Sequence, residues 1–104
     1  MSVNQVIESL IKENDIVLFM KGTASFPQCG FSGRAVQILK TCGEDPKAIK
    51  TVNVLEEPEI REAIKTFSNW PTIPQFYYKG EFIGGSDIML EMYESGEMQK
   101  LLAA

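Results

Sequence analysis

Residues 16–43 read IVLFMKGTASFPQCGFSGRAVQILKTCG, and they carry the strongest structural signal in the chain. Ile16 to Met20 is an unbroken apolar run, too short for a helix that must bury one face. Such a run reads as a strand covered on both sides. Lys21 to Gln28 holds Gly, Thr, Ser and Pro, the composition of a loop. Phe31, Ala35, Ile38, Leu39 and Cys42 then recur at helical spacing until Gly43 stops the helix. A buried strand, a loop and an amphipathic helix make the first two-thirds of a right-handed βαβ unit.

The third part follows in Lys50 to Val54, a second strand candidate. Upstream, Val3, Val6, Ile7, Leu10 and Ile11 mark an amphipathic helix. Downstream, Pro58 opens a helix at a first-turn position, with Ile60, Ile64 and Phe67 on its inner face. Gln75 to Tyr78 and Glu81 to Ile83 flank Lys79-Gly80 as a hairpin. Gly84-Gly85 ends that strand, and Ser86 or Asp87 is placed to cap a helix containing Ile88, Leu90 and Met92. After Gly96, Met98, Leu101 and Leu102 give a last short helix. The order α-β-α-β-α-β-β-α-α predicts an α/β fold over one domain, residues 1–104: a four-stranded mixed sheet flanked by helices on both faces.

Composition narrows the function. The 104-residue chain carries a net charge of −4 and no stretch dense in Lys or Arg, which argues against nucleic-acid binding. The longest apolar run is far too short to cross a membrane. The start, MSVNQVIESL, reads as neither a secretory signal nor an Arg-rich transit peptide. There is no histidine, so a Cys–His nucleophile pair and imidazole metal ligands are excluded. The two cysteines are too few for a disulfide framework.

Cys29 falls just before a helix, at the carboxyl end of the first strand, the edge where open α/β sheets bind ligands. Unpaired N–H groups and the helix dipole favour thiolate there, and such sites lower a cysteine pKa to about 3.5–7.5. Lys21 adds a positive charge on the same side. Ser32 stands where many redox proteins carry a second cysteine. It either hydrogen-bonds the thiolate or caps the helix, and the cap is the preferred reading. An unbroken helix places Cys42 about 20 Å from Cys29, whereas a disulfide needs Cα atoms about 4.4–6.8 Å apart. Cys42 is therefore read as packing near the helix end, and Cys29 has no resolving partner in the chain.

Four segments, Lys21-Gly22, Cys29 to Ser32 (CGFS), Asn69 to Gln75 (NWPTIPQ) and Gly84 to Asp87 (GGSD), occur in an order and spacing that resembles the monothiol glutaredoxins of the C-G-F-S class. The resemblance runs from Ile16 through Leu102, and VNVLEEPEIREAIKTFSNWPTIPQ looks especially like the mitochondrial single-domain members. It implies a thioredoxin fold, consistent with the element order. It also implies binding of glutathione and of a [2Fe–2S] cluster that is handed to recipient proteins in iron–sulfur cluster assembly.

Carried onto this sequence, the resemblance implies a glutathione site made of Lys21, Cys29, Arg61, Thr72, Ile73, Pro74, Gly85, Ser86 and Asp87. Lys21 and Arg61 are the cations for the carboxylates; the alternative for both is a solvated surface charge. The Thr72-Ile73-Pro74 segment corresponds to one with a cis proline, against an ordinary trans proline opening an edge strand. The Ser86 and Asp87 N–H groups meet the γ-glutamyl carboxylate and the Asp87 side chain the amine, or Asp87 is a plain N-cap. Phe31 and Trp70 shield the cluster or simply pack. The chain departs from the family in having Ser86 where many members have cysteine, which weakens any dithiol redox role.

A cluster held without histidine needs four thiolates. The resemblance then implies two copies of Cys29 and two glutathione sulfurs: a homodimer when loaded, a monomer when empty. Cys29 is thus both the catalytic and the metal-ligating candidate. The rival function is a monothiol, glutathione-dependent oxidoreductase that removes glutathione from other thiols. A third is a module for partners of the BolA type. The mitochondrial matrix is the expected location, or the cytoplasm where no import segment was cleaved.

Overall fold

The computed structural model of the chain describes residues 1–103. The expected domain, 1–104, ends on Ala104, outside the described residues. The elements are α1 (Val3–Glu13), β1 (Ile16–Met20), α2 (Gly30–Thr41), β2 (Lys50–Asn53), α3 (Pro58–Ser68), β3 (Gln75–Tyr78), β4 (Glu81–Gly84), α4 (Ser86–Ser95) and α5 (Glu97–Ala103). This is the predicted order. The strands form one sheet in the order β2-β1-β3-β4. β1 pairs with β2 in parallel and with β3 antiparallel, and β3 pairs with β4 antiparallel. The sheet is therefore mixed, and helices cover both of its faces.

The period of a strand sorts the core into two halves. Val17 and Phe19 of β1 point to one face, where Ile7 and Ile11 of α1 and Ile60 and Ile64 of α3 pack. Ile16, Leu18 and Met20 point to the other, against Ala35 and Leu39 of α2, Met89 of α4 and Met98 of α5. All five residues of β1 are buried, which is why its sequence is a continuous apolar run rather than an alternating one.

Local signals set the boundaries. Ser2 and Gln5 form a reciprocal capping box at the start of α1. Pro58 starts α3, where its missing N–H is no loss. Cys42 is the C-cap of α2, half-buried beside the α2 core, and Gly43 follows with φ 97°; the packing role expected for Cys42 is what the fold gives it. The expected cap at α4 is different. Gly85 occupies the N-cap, and Ser86 and Asp87 lie in the first turn with no side-chain cap bond.

Register explains why one end of the sheet gathers the chemistry. Met20 is opposite Asn53, Phe19 is opposite Gln75, and Phe76 is opposite Gly84. The segments after β1, after β2, before β3 and after β4 therefore meet at a single edge.

Candidate functional site

Cys29 is the N-cap of α2, with extended backbone (φ −154°, ψ 137°), and is half-buried. Its thiol is held below the ordinary cysteine pKa. The Ser32 backbone N–H is the largest cause; burial opposes it, and the Phe31 N–H, the Lys21 charge and the Ser32 hydroxyl add to it. Cys42 moves the other way: burial and the nearby Glu44 raise its pKa. Both cysteines are free. The chain thus has one thiol poised to act as a nucleophile or ligand and one that is not.

Ser32 is fully buried and does not cap the helix. Its Oγ accepts the Lys21 N–H at 3.0 Å, and its hydroxyl also interacts with Cys29. The preferred cap reading is corrected here: Cys29 itself takes the N-cap position. Ser32, three residues on, ties the end of β1 to the start of α2 beneath the thiol.

The loop between them is folded back on itself. Gly22 bridges to Pro27, Gln28 N–H bonds Lys21 O at 2.9 Å, and Gly22 N–H bonds Asn53 Oδ1 at 2.9 Å. Gly22 has φ 89°, and a Cβ there would lie 2.5 Å from Phe26 O. Only glycine fits that turn. Phe26, at the loop tip, is exposed.

All nine residues of the expected site line one cavity of about 390 Å³. Lys21 and Cys29 come from the β1–α2 connection and Arg61 from α3. Thr72, Ile73 and Pro74 come from the segment before β3, with the Ile73–Pro74 bond cis. Gly85, Ser86 and Asp87 come from the start of α4. Gly85 is close-packed there: a Cβ would stand 3.2 Å from both Pro74 O and Trp70 Nε1. Phe31, counted in the apolar spacing of α2, lines the cavity with a largely exposed ring, and Trp70 lines it too.

Three site features escaped the sequence reading. Lys65, one turn beyond Arg61 on α3, also lines the cavity. Its (i, i+4) spacing from Arg61 was the available signal. Gln75 is fully buried, and its Nε2 donates to Trp70 O at 3.0 Å and Thr72 O at 3.2 Å, pinning the loop before the cis proline. Arg34 of α2 reaches across to α4, where Nε donates to Ser86 Oγ at 2.8 Å and a terminal nitrogen to the Asp87 carboxylate. A contact spanning 53 residues leaves no local pattern.

The chain is net acidic, yet Lys21, Arg61 and Lys65 converge on one hollow. Lys65 has Glu62 Oε1 at 3.7 Å, whereas among the described residues Lys21 and Arg61 form no ion pair. Arg61 sits in the first turn of α3, where the helix dipole disfavours a cation. The arrangement can take an anionic, extended ligand and present it to a reactive thiol. Among the described residues, no group of three potential metal ligands exists. No described helix is long and apolar enough to cross a membrane.

Known proteins match this chain over most of its length. The family model for glutaredoxins matches residues 16–83. The mitochondrial monothiol glutaredoxin-5 of Schizosaccharomyces pombe is 54% identical over 98 residues, 94% of this chain and 67% of that protein. Glutaredoxin 4 of Buchnera aphidicola is 49% identical over 102 residues, 98% of this chain and 92% of that protein. Among solved structures, reduced apo GrxS14 of poplar superposes with a TM-score of 0.81 at 43% identity, covering 99% of this chain and 95% of that one. A buckwheat glutaredoxin–glutathione complex has a TM-score of 0.83 at 23% identity, covering 97% and 87%, a likeness of fold.

Proposed function

The chain belongs to the glutaredoxin family, among its monothiol members, and from that premise we propose that it binds a [2Fe–2S] cluster together with glutathione and passes it to recipient proteins. The observation that carries the proposal is the pairing of one activated, accessible thiol with a cation-lined cavity, the second cysteine lying at the far end of α2.

The family uses glutathione, an extended tripeptide with two carboxylates, an amine and a thiol. In the proposed complex Lys21, Arg61 and Lys65 face the glycine carboxylate. The Thr72–Ile73 backbone before Pro74 runs beside the peptide as an added strand would. Ser86 and Asp87 offer first-turn N–H groups to the γ-glutamyl carboxylate, and the Asp87 side chain takes the amine. This orientation brings the glutathione sulfur beside Cys29.

The cluster is cargo. Its four sulfur ligands exceed what one chain supplies, because Cys29 is the one activated thiol and no described cluster of other ligands exists. Two chains and two glutathiones complete the set, giving a loaded dimer and an empty monomer. Each Cys29 sulfur stays reachable by an incoming thiol. Recipient cysteines then replace Cys29 and glutathione one ligand at a time, each incoming thiol losing its proton as it binds and each displaced sulfur leaving as the free thiol. Recipient iron–sulfur proteins and a BolA-type protein are the proposed partners, and residues 1–104 the unit that acts. The proposed location is the mitochondrial matrix, in line with the mitochondrial names among the relatives, or the cytoplasm of a bacterium, in line with the Buchnera one.

A monothiol oxidoreductase has one observation in its favour, the lowered pKa of Cys29. In that reaction the thiolate attacks the glutathione sulfur of a mixed disulfide and releases the other thiol. A second glutathione thiolate then takes the glutathionyl group off Cys29 as glutathione disulfide. The two functions separate in paired assays. Transfer from loaded protein to an apo-ferredoxin, with slow turnover on a glutathionylated peptide, is expected. Fast turnover without any transfer would establish the oxidoreductase instead.

A further inference from the structure

We propose that Arg34 is a specificity-determining positioning residue, which holds the Asp87 carboxylate so that the site prefers a ligand with a free γ-glutamyl amine. The inference rests on the glutathione reading above and assigns a role to a residue outside the cavity wall.

Asp87 is poorly suited to selectivity on its own. Its side chain is 86% exposed, so an unsupported carboxylate would rotate freely and meet an ammonium group only after losing that freedom. Arg34 removes the freedom beforehand. Its guanidinium is fixed at three points: over the Phe31 ring at 5.7 Å, by Nε to the buried Ser86 hydroxyl, and by a terminal nitrogen to Asp87 Oδ1. A planar fork fixed this way points in one direction, which a lysine cannot reproduce. It engages Oδ1 and leaves Oδ2 to accept from an amine.

The same cation also repels an incoming ammonium. Arg34 stands behind Asp87 and does not line the cavity. Both side chains are at least a third exposed, so water and salt screen the repulsion. Orientation does not depend on screening. The net effect of Arg34 is therefore to favour the amine.

The test is an NMR titration of the full chain with reduced glutathione and with N-acetylglutathione, for wild type, Arg34→Met and Ser86→Ala. Wild type is expected to prefer glutathione. Arg34→Met should lower glutathione affinity about two- to fivefold, the range of an exposed ion pair, and leave the acetylated ligand unchanged. Ser86→Ala, which removes one anchor of the fork, should give a smaller loss in the same direction. Equal weakening of both ligands, unchanged selectivity, or tighter glutathione binding in Arg34→Met would each overturn the role of Arg34 while leaving glutathione binding in place. A wild type that binds neither ligand overturns the glutathione reading and this one with it.

Discussion

Cys29 owes its reactivity to where the chain turns. Two backbone N–H groups at the start of α2 do more for the thiolate than the Lys21 charge, because they point at the sulfur from fixed positions. A lowered pKa means that the thiolate persists at lower pH than in an ordinary cysteine, and a raised one means the reverse. Alkylation by iodoacetamide, followed by mass spectrometry against pH, should therefore modify Cys29 first. Cys42 should react only at higher pH. Ser32→Ala removes the hydroxyl and should move the Cys29 profile upward, without reaching that of Cys42, since the backbone donors remain. The cations act separately. Arg61→Gln should weaken glutathione binding by about tenfold, the loss of one charge-assisted hydrogen bond of about 1.5 kcal/mol, and added salt should narrow the gap to wild type. Calorimetric titration at two salt concentrations checks it.

The elements that carry these residues are held by backbone contacts, and two substitutions probe them. Gly22→Ala would place a methyl group against Phe26 O and Gln28 N at a positive φ. The expected loss is about 2 kcal/mol, a fall in melting temperature of about 8 °C or more. Gln75→Leu keeps the volume and deletes both bonds to the Trp70–Thr72 loop. It should cost about 1–3 kcal/mol of stability and weaken glutathione binding while the Cys29 alkylation profile stays put. The elements themselves were legible in the sequence because their periods differ. The five-residue run of β1, the spacing in α1 and α3, and the Lys79-Gly80 turn each announce one structure. What was not legible is how polar side chains divide their bonds. Ser32, Ser86 and Asp87 have the right chemistry for caps and sit at helix starts, yet each is claimed by a partner elsewhere: Lys21 for the first, Arg34 for the other two. Propensity sees only neighbours in sequence, and these partners lie 11, 52 and 53 residues away.

On the scale of the molecule, the sheet order does the assembling. With β1 flanked by a parallel and an antiparallel neighbour, the ends of β1, β2 and β4 and the start of β3 coincide. All nine expected site residues then meet in one cavity, though they span positions 21 to 87. Their number and spacing came from a resemblance to whole motifs; the local pattern alone pointed no further than Cys29 and Lys21. The shortage of sulfur is equally a property of the whole chain. With one activated thiol and no histidine, it cannot complete a cluster site alone. The most direct measurement is anaerobic reconstitution with iron and sulfide, with and without glutathione, followed by visible absorbance and solution mass for wild type and Cys29→Ser. The expected product is a coloured dimer that requires both glutathione and Cys29 and returns to a monomer when the cluster is lost. A colourless monomer under every condition, or a coloured species that forms without glutathione, would contradict the shared-cluster account.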